Sequence, residues 1–231
     1  LKDAYKSLHE ALYHASFHNN VKLKINYIDS EDLQKETPKN LLSDCDGILV
    51  PGGFGNRGFE GKISAIKYAR EKNIPFFGIC LGLQMAVIEY ARNVCDLKNA
   101  NSRESGRKIK DFVIDIMEDQ KNLDSKGGNM RLGDYPCEIK KSTKVAEAYR
   151  KTKILERHRH RYEVNPKYHN ILSKKGLILS GLSPDGKLAE TIEIKEHPWF
   201  VACQFHPEFK SKPFQPHPLF VNFIKASSKK S

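Results

Sequence analysis

The stretch PFFGICLGLQM, from Pro75 to Met85, holds a single thiol between two glycines at the end of an apolar run. The strand-like PFFGI and the helix-like GLQMAVIEYAR after it predict a buried strand that turns directly into a helix. Gly78 and Gly82 flank Cys80 in the G-x-nucleophile-x-G pattern of a strained strand-to-helix turn. A helix that begins just after Cys80 favours the reactive thiolate form of its side chain. The alternative interpretation is a small buried cysteine without a chemical role.

The segments on either side of this turn alternate between helix-like and strand-like patterns. Helices are predicted at 3–17, 62–72, 82–92 and 218–226, and strands at 21–28, 46–50, 74–79, 111–117 and 198–205. Residues 176–194 are typical of two strands joined by the turn 183–186. The polar, glycine-rich residues 118–135 are predicted to form a loop, with 118–129 as a flexible insertion. Apolar strands separated by helices indicate an α/β fold with a mixed sheet, in one domain over 1–231.

Composition and charge narrow the possible partners. Lys and Arg exceed Asp and Glu by 39 − 28 = 11, but no aromatic-and-basic recognition motif accompanies the basic runs, so we expect no nucleic-acid partner. No apolar stretch has the length that crosses a bilayer, so we expect no membrane partner. The five cysteines are odd in number and form no C-x-x-C pair. They indicate neither a disulfide framework nor a metal site, and they favour a reducing, cytoplasmic location.

One of the nine histidines stands out because it follows an apolar strand in the sequence CQFHPEF. Residues two apart in an extended chain project to the same side, so His206 and Glu208 can face one site. Pro207 favours an extended backbone at His206. Glu208 would then hold the imidazole in one tautomer while the other ring nitrogen meets the Cys80 sulfur, as in a catalytic triad. The alternative is a surface ion pair at the end of a strand.

The sequence VPGGFGNRG also needs an explanation, because residues 53–58 match the dinucleotide-binding pattern G-x-G-x-x-G. That fold requires a carboxylate near the end of the next strand, where this chain has Cys80 instead. The other use of such a loop is to present backbone N–H groups to a developing oxyanion. The N–H groups of Gly53 and Leu81, the residue after the nucleophile, are the expected pair.

Taken together, PGGFG, GICLGLQ and FHPE in this order and spacing resemble the class I glutamine amidotransferases. The segments NANSRES, RHRHRYEVN and HPWFVACQFHPEF are similar to the glutaminase domain of the CTP synthase family, and the similarity extends over 3–226. This resemblance implies a flavodoxin-like α/β fold with a mostly parallel central sheet flanked by helices and an additional smaller antiparallel sheet. It also implies an enzyme that hydrolyses L-glutamine through a glutamyl thioester.

The resemblance assigns roles by position. Cys80 corresponds to the nucleophile, His206 to the base and Glu208 to the acid that orients it, with Gly53 and Leu81 as oxyanion donors. The implied glutamine-binding positions are Gly53, Phe54, Leu81, Gly82, Leu83, Gln84, Glu104, Arg161 and Tyr162. Glu104 and Arg161 suit the ammonium and the carboxylate of free glutamine. In an extended RHRHR segment the arginines share one face and the histidines the other, and we expect the arginines other than Arg161 to contact a partner domain.

The resemblance also implies what accompanies this chain. CTP synthases carry an ATP-using synthase domain that aminates UTP, in an enzyme expected to be a homotetramer. This chain has no G-x-x-x-x-G-K-[ST] sequence and does not begin with Met, so we expect the glutaminase domain alone, cut from a longer protein. ATP and Mg²⁺ are expected only in the synthase domain, and no cofactor is expected here. The alternatives are another class I glutaminase such as that of GMP synthase, a non-catalytic assembly module, and a basic nucleic-acid binder.

Overall fold

The computed structural model describes residues 2–106, 109–116 and 130–228. Its α-helices are α1 Lys6–His18, α2 Pro38–Leu42, α3 Phe59–Glu71, α4 Leu81–Asn93, α5 Lys144–Tyr149, α6 His169–Lys174 and α7 Pro218–Ser227. Its strands are β1 Ile48–Val50, β2 Phe76–Ile79, β3 Asn101–Ser102, β4 Phe112–Ile116, β5 Arg131–Ile139, β6 Lys153–His160, β7 Tyr162–Val164, β8 Leu177–Leu182, β9 Ala189–Ile194 and β10 Phe200–Cys203.

Within the described ranges the strands form two sheets. The larger has the order β1-β2-β10-β9-β8-β5-β6, and the smaller has the order β3-β4-β7. Strands β1, β2 and β10 are parallel, whereas β10, β9, β8, β5 and β6 are antiparallel to one another in turn. In the smaller sheet β3 runs parallel to β4, and β7 runs antiparallel to it. The predicted α/β fold with a mixed sheet and a second, smaller sheet is confirmed. The larger sheet is parallel only at β1-β2-β10, and the smaller sheet is mixed and not purely antiparallel, because β3 joins it in the direction of β4.

The hydrophobic core lies on both faces of the parallel strands. Phe76 and Phe200 pack with α3 and α4 on one face, and Phe77 and Val201 pack with α1 and α7 on the other. Because alternate residues of β2 meet apolar helices on opposite sides, the strand has no polar positions. This arrangement explains the continuous apolar run that precedes Cys80.

Most predicted elements are present, and two predictions are wrong. No strand is formed at 21–28, although Val21, Leu23 and Ile25 are partly buried against the core. Their alternation therefore reflects packing against the core and not sheet pairing. Residues 131–135 are strand and not loop, because β5 pairs with β6 from Arg131, opposite His160. The rest of the predicted insertion, including 118–129, lies outside the described residues.

Candidate active site

The turn at Cys80 has the strained backbone that the sequence predicts. Cys80 lies between the end of β2 and the start of α4, with φ 52° and ψ −100°. A positive φ is unfavourable for a residue with a side chain and is found where function requires it. A Cβ at Gly78 would lie 2.8 Å from the carbonyl carbon of Gly82, and one at Gly82 would lie 2.1 Å from the carbonyl oxygen of Val50. Both glycines are therefore needed for the backbone to turn here.

Sheet topology brings His206 to this turn. Strand β10 is parallel to β2 with Cys203 opposite Ile79, and the Cys80 N–H donates to the carbonyl oxygen of Cys203 at 2.7 Å. The two strands therefore end at the same edge, and the chain reaches His206 just beyond it. The backbone N–H of His206 donates to the carbonyl oxygen of Arg157 on β6 at 2.8 Å. This hydrogen bond fixes the backbone that carries the imidazole.

The His206 ring is held by an acidic side chain, an aromatic ring and a glycine. Its Nδ1 lies 2.7 Å from Oε1 of Glu208, and its plane stacks on Phe209 at a centroid distance of 5.3 Å. A Cβ at Gly52 would lie only 2.7 Å from Cε1 of the ring. The reason for the His206–Glu208 contact differs from the predicted one. Glu208 lies in the 3₁₀ helix Pro207–Lys210, so a turn, and not the alternation of an extended strand, brings the two side chains together.

Electrostatics favour a charged imidazole at this position. Burial acts to lower the pKa of His206, but interactions with the Cys80 sulfur and the Glu208 carboxylate outweigh burial and raise the pKa to about 10. Within the described residues, the buried Nε2 of His206 has no hydrogen bond of standard geometry. The Cys80 sulfur therefore lies near enough to raise the pKa of the ring, but outside standard hydrogen-bond geometry.

A cavity of about 190 Å³ opens beside Cys80. Its lining residues are Gly53, Phe54, Cys80, Gln84, Glu104, Met130, His160, Arg161 and Tyr162. The volume is smaller than that of a typical drug-sized pocket, which is about 300 Å³ or more. The cavity therefore suits a ligand of amino-acid size. It also brings together most of the residues that the sequence assigns to glutamine binding.

Three of the assigned residues contribute no lining side chain. Leu81 and Leu83 are buried in the hydrophobic core, and Gly82 packs against Val50. Their backbone alone could face a ligand. In the described part of the chain, neither the Gly53 nor the Leu81 N–H is engaged in a backbone hydrogen bond.

Glu104 and Gln84 already have partners in this site. Oε1 of Glu104 accepts a hydrogen bond of 2.7 Å from the N–H of Gly55, so this carboxylate joins the glycine loop to the 3₁₀ helix Arg103–Ser105. The Gln84 side-chain Nε2 donates to the Tyr162 carbonyl oxygen at 3.0 Å. The atom that Gln84 can offer to a ligand is therefore its Oε1, which is an acceptor.

Sequence reasoning missed three residues of this site. Met130 lines the cavity but lies in a segment that was predicted to be loop. His160 also lines the cavity. The sequence predicted only that the histidines lie on the strand face opposite the arginines, and the alternation of buried histidines and exposed arginines in β6 confirms that prediction. Gly52 leaves the space that the His206 ring occupies, since a Cβ there would overlap Cε1 of the ring. Its only sequence signal is that it precedes Gly53 in the glycine loop.

The described residues contain neither a membrane-spanning helix nor a metal-binding cluster. No helix there is both long and apolar enough to cross a membrane. No group of three or more His, Cys, Asp or Glu side chains in that part of the chain is arranged to hold a metal ion. All five cysteines are free thiols.

Comparison with known proteins agrees with this geometry. Residues 1–226 match the family model of the class-I glutamine amidotransferases. The chain therefore belongs to the class I glutamine amidotransferase family.

The relatives define a narrower group within that family. The CTP synthase of Bdellovibrio bacteriovorus is 54% identical over 233 residues, which is 100% of this chain and 44% of that protein. The CTP synthase of Maridesulfovibrio salexigens is 57% identical over 98% of this chain and 44% of its own length. The chain thus spans less than half the length of these relatives.

A solved structure supports the same placement. The glutaminase domain of Trypanosoma brucei CTPS, with bound acivicin, superimposes with a TM-score of 0.92 and 42% identity, over 99% of this chain and 89% of that one. The chain is a glutamine amidotransferase domain of the CTP synthase type, and the resemblance predicted from its motifs is confirmed.

Proposed function

We propose that this domain hydrolyses the side-chain amide of L-glutamine through a Cys80–His206–Glu208 triad and a glutamyl thioester. The observation that carries the proposal is the strained turn at Cys80, which lies beside the His206–Glu208 pair and at the wall of a cavity of amino-acid size. The raised pKa of His206 supports an imidazolium that can donate a proton during the reaction.

In the first half of the reaction, the Cys80 thiolate attacks the carboxamide carbon of glutamine. The tetrahedral oxyanion accepts hydrogen bonds from the N–H groups of Gly53 and Leu81. His206 donates its proton to the leaving nitrogen, the C–N bond breaks, and ammonia departs. Glu208 keeps the imidazole oriented and compensates its charge.

In the second half, water replaces ammonia at the same place. The now neutral His206 takes a proton from this water as it attacks the γ-glutamyl thioester. The C–S bond breaks, glutamate leaves, and the thiolate–imidazolium pair is restored.

The polar residues of the cavity suit the two ends of the substrate. The Glu104 carboxylate suits the α-ammonium group, and its Oε2 is available while Oε1 holds Gly55. Arg161 suits the α-carboxylate, which a guanidinium binds in two parallel hydrogen bonds. Gln84 presents Oε1 as an acceptor for a substrate N–H.

For the longer protein, we propose that the released ammonia passes to a synthase domain of the same chain, which aminates ATP-activated UTP to CTP. Relatives more than twice as long as this chain support a second domain. ATP and Mg²⁺ would bind there, in an enzyme that forms a homotetramer in the cytoplasm. Turnover of glutamine should be faster with the synthase domain present, and equal rates with and without it would count against this coupling.

Labelling with an electrophilic glutamine analogue such as 6-diazo-5-oxo-L-norleucine tests the nucleophile. Peptide mapping should find one modified residue, Cys80, and L-glutamine should protect it. The half-buried Cys45 serves as an internal control for unspecific alkylation. Modification that glutamine does not slow, or that falls equally on Cys45, would argue against the proposed site.

A further inference from the structure

A buried polar cluster lies behind one wall of the cavity. It consists of Arg131 on β5, His158 and His160 on β6, Glu163 on β7 and Glu190 on β9, and all five side chains are buried. The reaction proposed above uses none of them directly. Burial of so many ionisable groups is unfavourable unless hydrogen bonds join them, so the positions of their protons can be worked out.

The two histidines have defined tautomers. Nδ1 of His160 lies 3.2 Å from the carbonyl oxygen of Tyr162, which can only accept, so this Nδ1 carries a proton. Burial, reinforced by the charge of Arg131, lowers the pKa of His160 to about 3 and of His158 to about 2, so both rings are neutral. Nε2 of His160 is then an acceptor, and the group 2.8 Å from it is Nδ1 of His158. His158 therefore donates from Nδ1 and leaves a lone pair on Nε2.

That lone pair faces a carboxyl group. Nε2 of His158 lies 3.7 Å from Oε2 of Glu190, and within the described residues both atoms are buried without a hydrogen-bond partner. Two acceptors in this position repel each other unless a proton lies between them. Burial raises the pKa of Glu190, which favours a protonated carboxyl, and a shift of a few tenths of an ångström would complete the hydrogen bond.

The charges of the cluster agree with this assignment. Arg131 donates to Oε1 of Glu190 at 2.8 Å and to Oε1 of Glu163 at 3.0 Å. A single ionised carboxylate neutralises the guanidinium, and a second would be an uncompensated buried charge. Burial raises the pKa of Glu163 as well, to about 8, so the contacts and not the pKa values choose between the two carboxyls. Oε1 of Glu163 also lies 3.5 Å from the protonated Nδ1 of His160, whereas Oε2 of Glu190 faces the lone pair of His158, and this places the negative charge on Glu163.

We propose that Glu190 is a positioning residue whose protonated carboxyl donates to His158, which donates to His160, which donates to the Tyr162 carbonyl at the cavity wall. The same carbonyl oxygen accepts the hydrogen bond from Gln84. The chain of donors thus fixes two lining residues, His160 and Tyr162, and orients a third, Gln84. Its effect on glutamine binding rests on the function proposed above.

Substitution of Glu190 separates this proposal from a purely structural role. Glu190→Gln keeps an acceptor for Arg131 and a donor for His158, so KM for glutamine should stay within about twofold of the wild type. Glu190→Ala removes the donor, and we expect KM to rise roughly tenfold with a smaller change in kcat. Glu193→Gln is the matched control on the same strand, since its carboxylate accepts from the backbone N–H groups of Lys144 and Val145 and not from a side chain among the described residues. That control should lower stability and leave KM unchanged.

The histidine tautomers give a readout that does not depend on activity. In the wild-type protein, ¹⁵N NMR of the imidazoles at neutral pH should show His158 and His160 protonated at Nδ1 alone. A proton on Nε2 of His158, or a Glu190→Gln variant with KM raised as far as in Glu190→Ala, would overturn the proposal. If the wild type hydrolysed no glutamine, the proposed function would fail, while the NMR spectra would still decide whether the chain of donors exists.

Discussion

Gly52 is the position where one added methyl group should most directly disturb His206, the proposed catalytic base. A Cβ there would lie 2.7 Å from Cε1 of His206, whereas ordinary van der Waals contact begins at 3.4 Å. The imidazole must therefore move by 3.4 − 2.7 = 0.7 Å. Glu208 holds Nδ1 of the ring, and Phe209 stacks on its plane, so the movement also disturbs the alignment of Nε2 with the Cys80 sulfur.

The size of the effect follows from this displacement. A misplacement of about 1 Å in a reacting group can cost on the order of 10²-fold in rate. We therefore expect Gly52→Ala to lower kcat by about 10- to 100-fold, or about 1.4–2.7 kcal/mol of transition-state stabilisation. KM should change little, because Gly52 does not line the cavity. Gly52 is not among the residues with positive φ, so alanine adds no backbone strain.

The assay is steady-state release of glutamate, with thermal unfolding to show that each variant is folded. Gly181→Ala is the matched control, since its Cβ would lie 2.6 Å from Oγ1 of Thr191 and 2.7 Å from Sγ of Cys137. It creates the same degree of overlap in the core, away from the cavity, and should lower stability without lowering kcat. A Gly52→Ala enzyme with kcat within twofold of the wild type would refute the reasoning, as would an equal loss of kcat in the control.

Three further predictions concern strain, protonation and a buried ion pair. Cys80→Ala and Cys80→Gly should both lack turnover, but the melting temperature of the glycine variant should not be lower than that of the alanine variant. The reason is that φ 52° and ψ −100° cost a residue with a Cβ about 1–3 kcal/mol. A lower melting temperature of the glycine variant would contradict this reasoning. In the unfolded chain His160 becomes protonated below about pH 6.5, whereas in the folded protein it becomes protonated only near its pKa of about 3. The free energy of unfolding therefore decreases as the pH is lowered from about 6.5 towards 3. Urea titrations at about pH 6.5 and about pH 4.5 measure how much unfolding free energy each protein loses between the two pH values. The loss should be smaller for His160→Gln than for the wild type, by up to about 1.4 kcal/mol per pH unit, and equal losses in the two proteins would contradict the lowered pKa of His160. Glu89→Ala removes the buried partner of Arg70, which donates to both Glu89 oxygens and would keep only its weaker contact with Glu71. The change should cost about 1–3 kcal/mol of stability with kcat unchanged, and a smaller loss would show that the ion pair contributes little.

The sequence predicts best those features that depend on local rules. The turn at Cys80 needs glycines within two residues, and the apolar run of β2 follows from burial of both its faces. Both signals lie in one short stretch, so neither requires knowledge of the rest of the fold. The histidine and arginine faces of β6 were predictable for the same reason, since side chains alternate along any extended strand.

The features that the sequence did not predict depend on contacts between distant segments. Val21, Leu23 and Ile25 alternate as in a strand, but packing against the core produces the same pattern without a pairing partner. The strand that starts at Arg131 looks polar because Arg131 enters a buried cluster of charged groups, while alternate side chains such as Asp134 are exposed. Gly52 is required because of His206, which follows a strand far downstream, and no local pattern in the sequence records that the two residues are neighbours.

The position of β6 explains how a site of this size is assembled. This strand lies at the far edge of the larger sheet, with β9, β8 and β5 between it and β10. Nevertheless the carbonyl of Arg157 on β6 accepts the N–H of His206, and His160 and Arg161 at its end line the cavity. The antiparallel half must therefore curl back over the end of the parallel half, in keeping with the twist of sheets. The parallel strands supply the thiol and the imidazole, and the curled edge supplies the wall that holds a substrate against them. Each half alone would lack either the proposed reacting groups or the pocket, so the proposed amide hydrolysis depends on the junction between them.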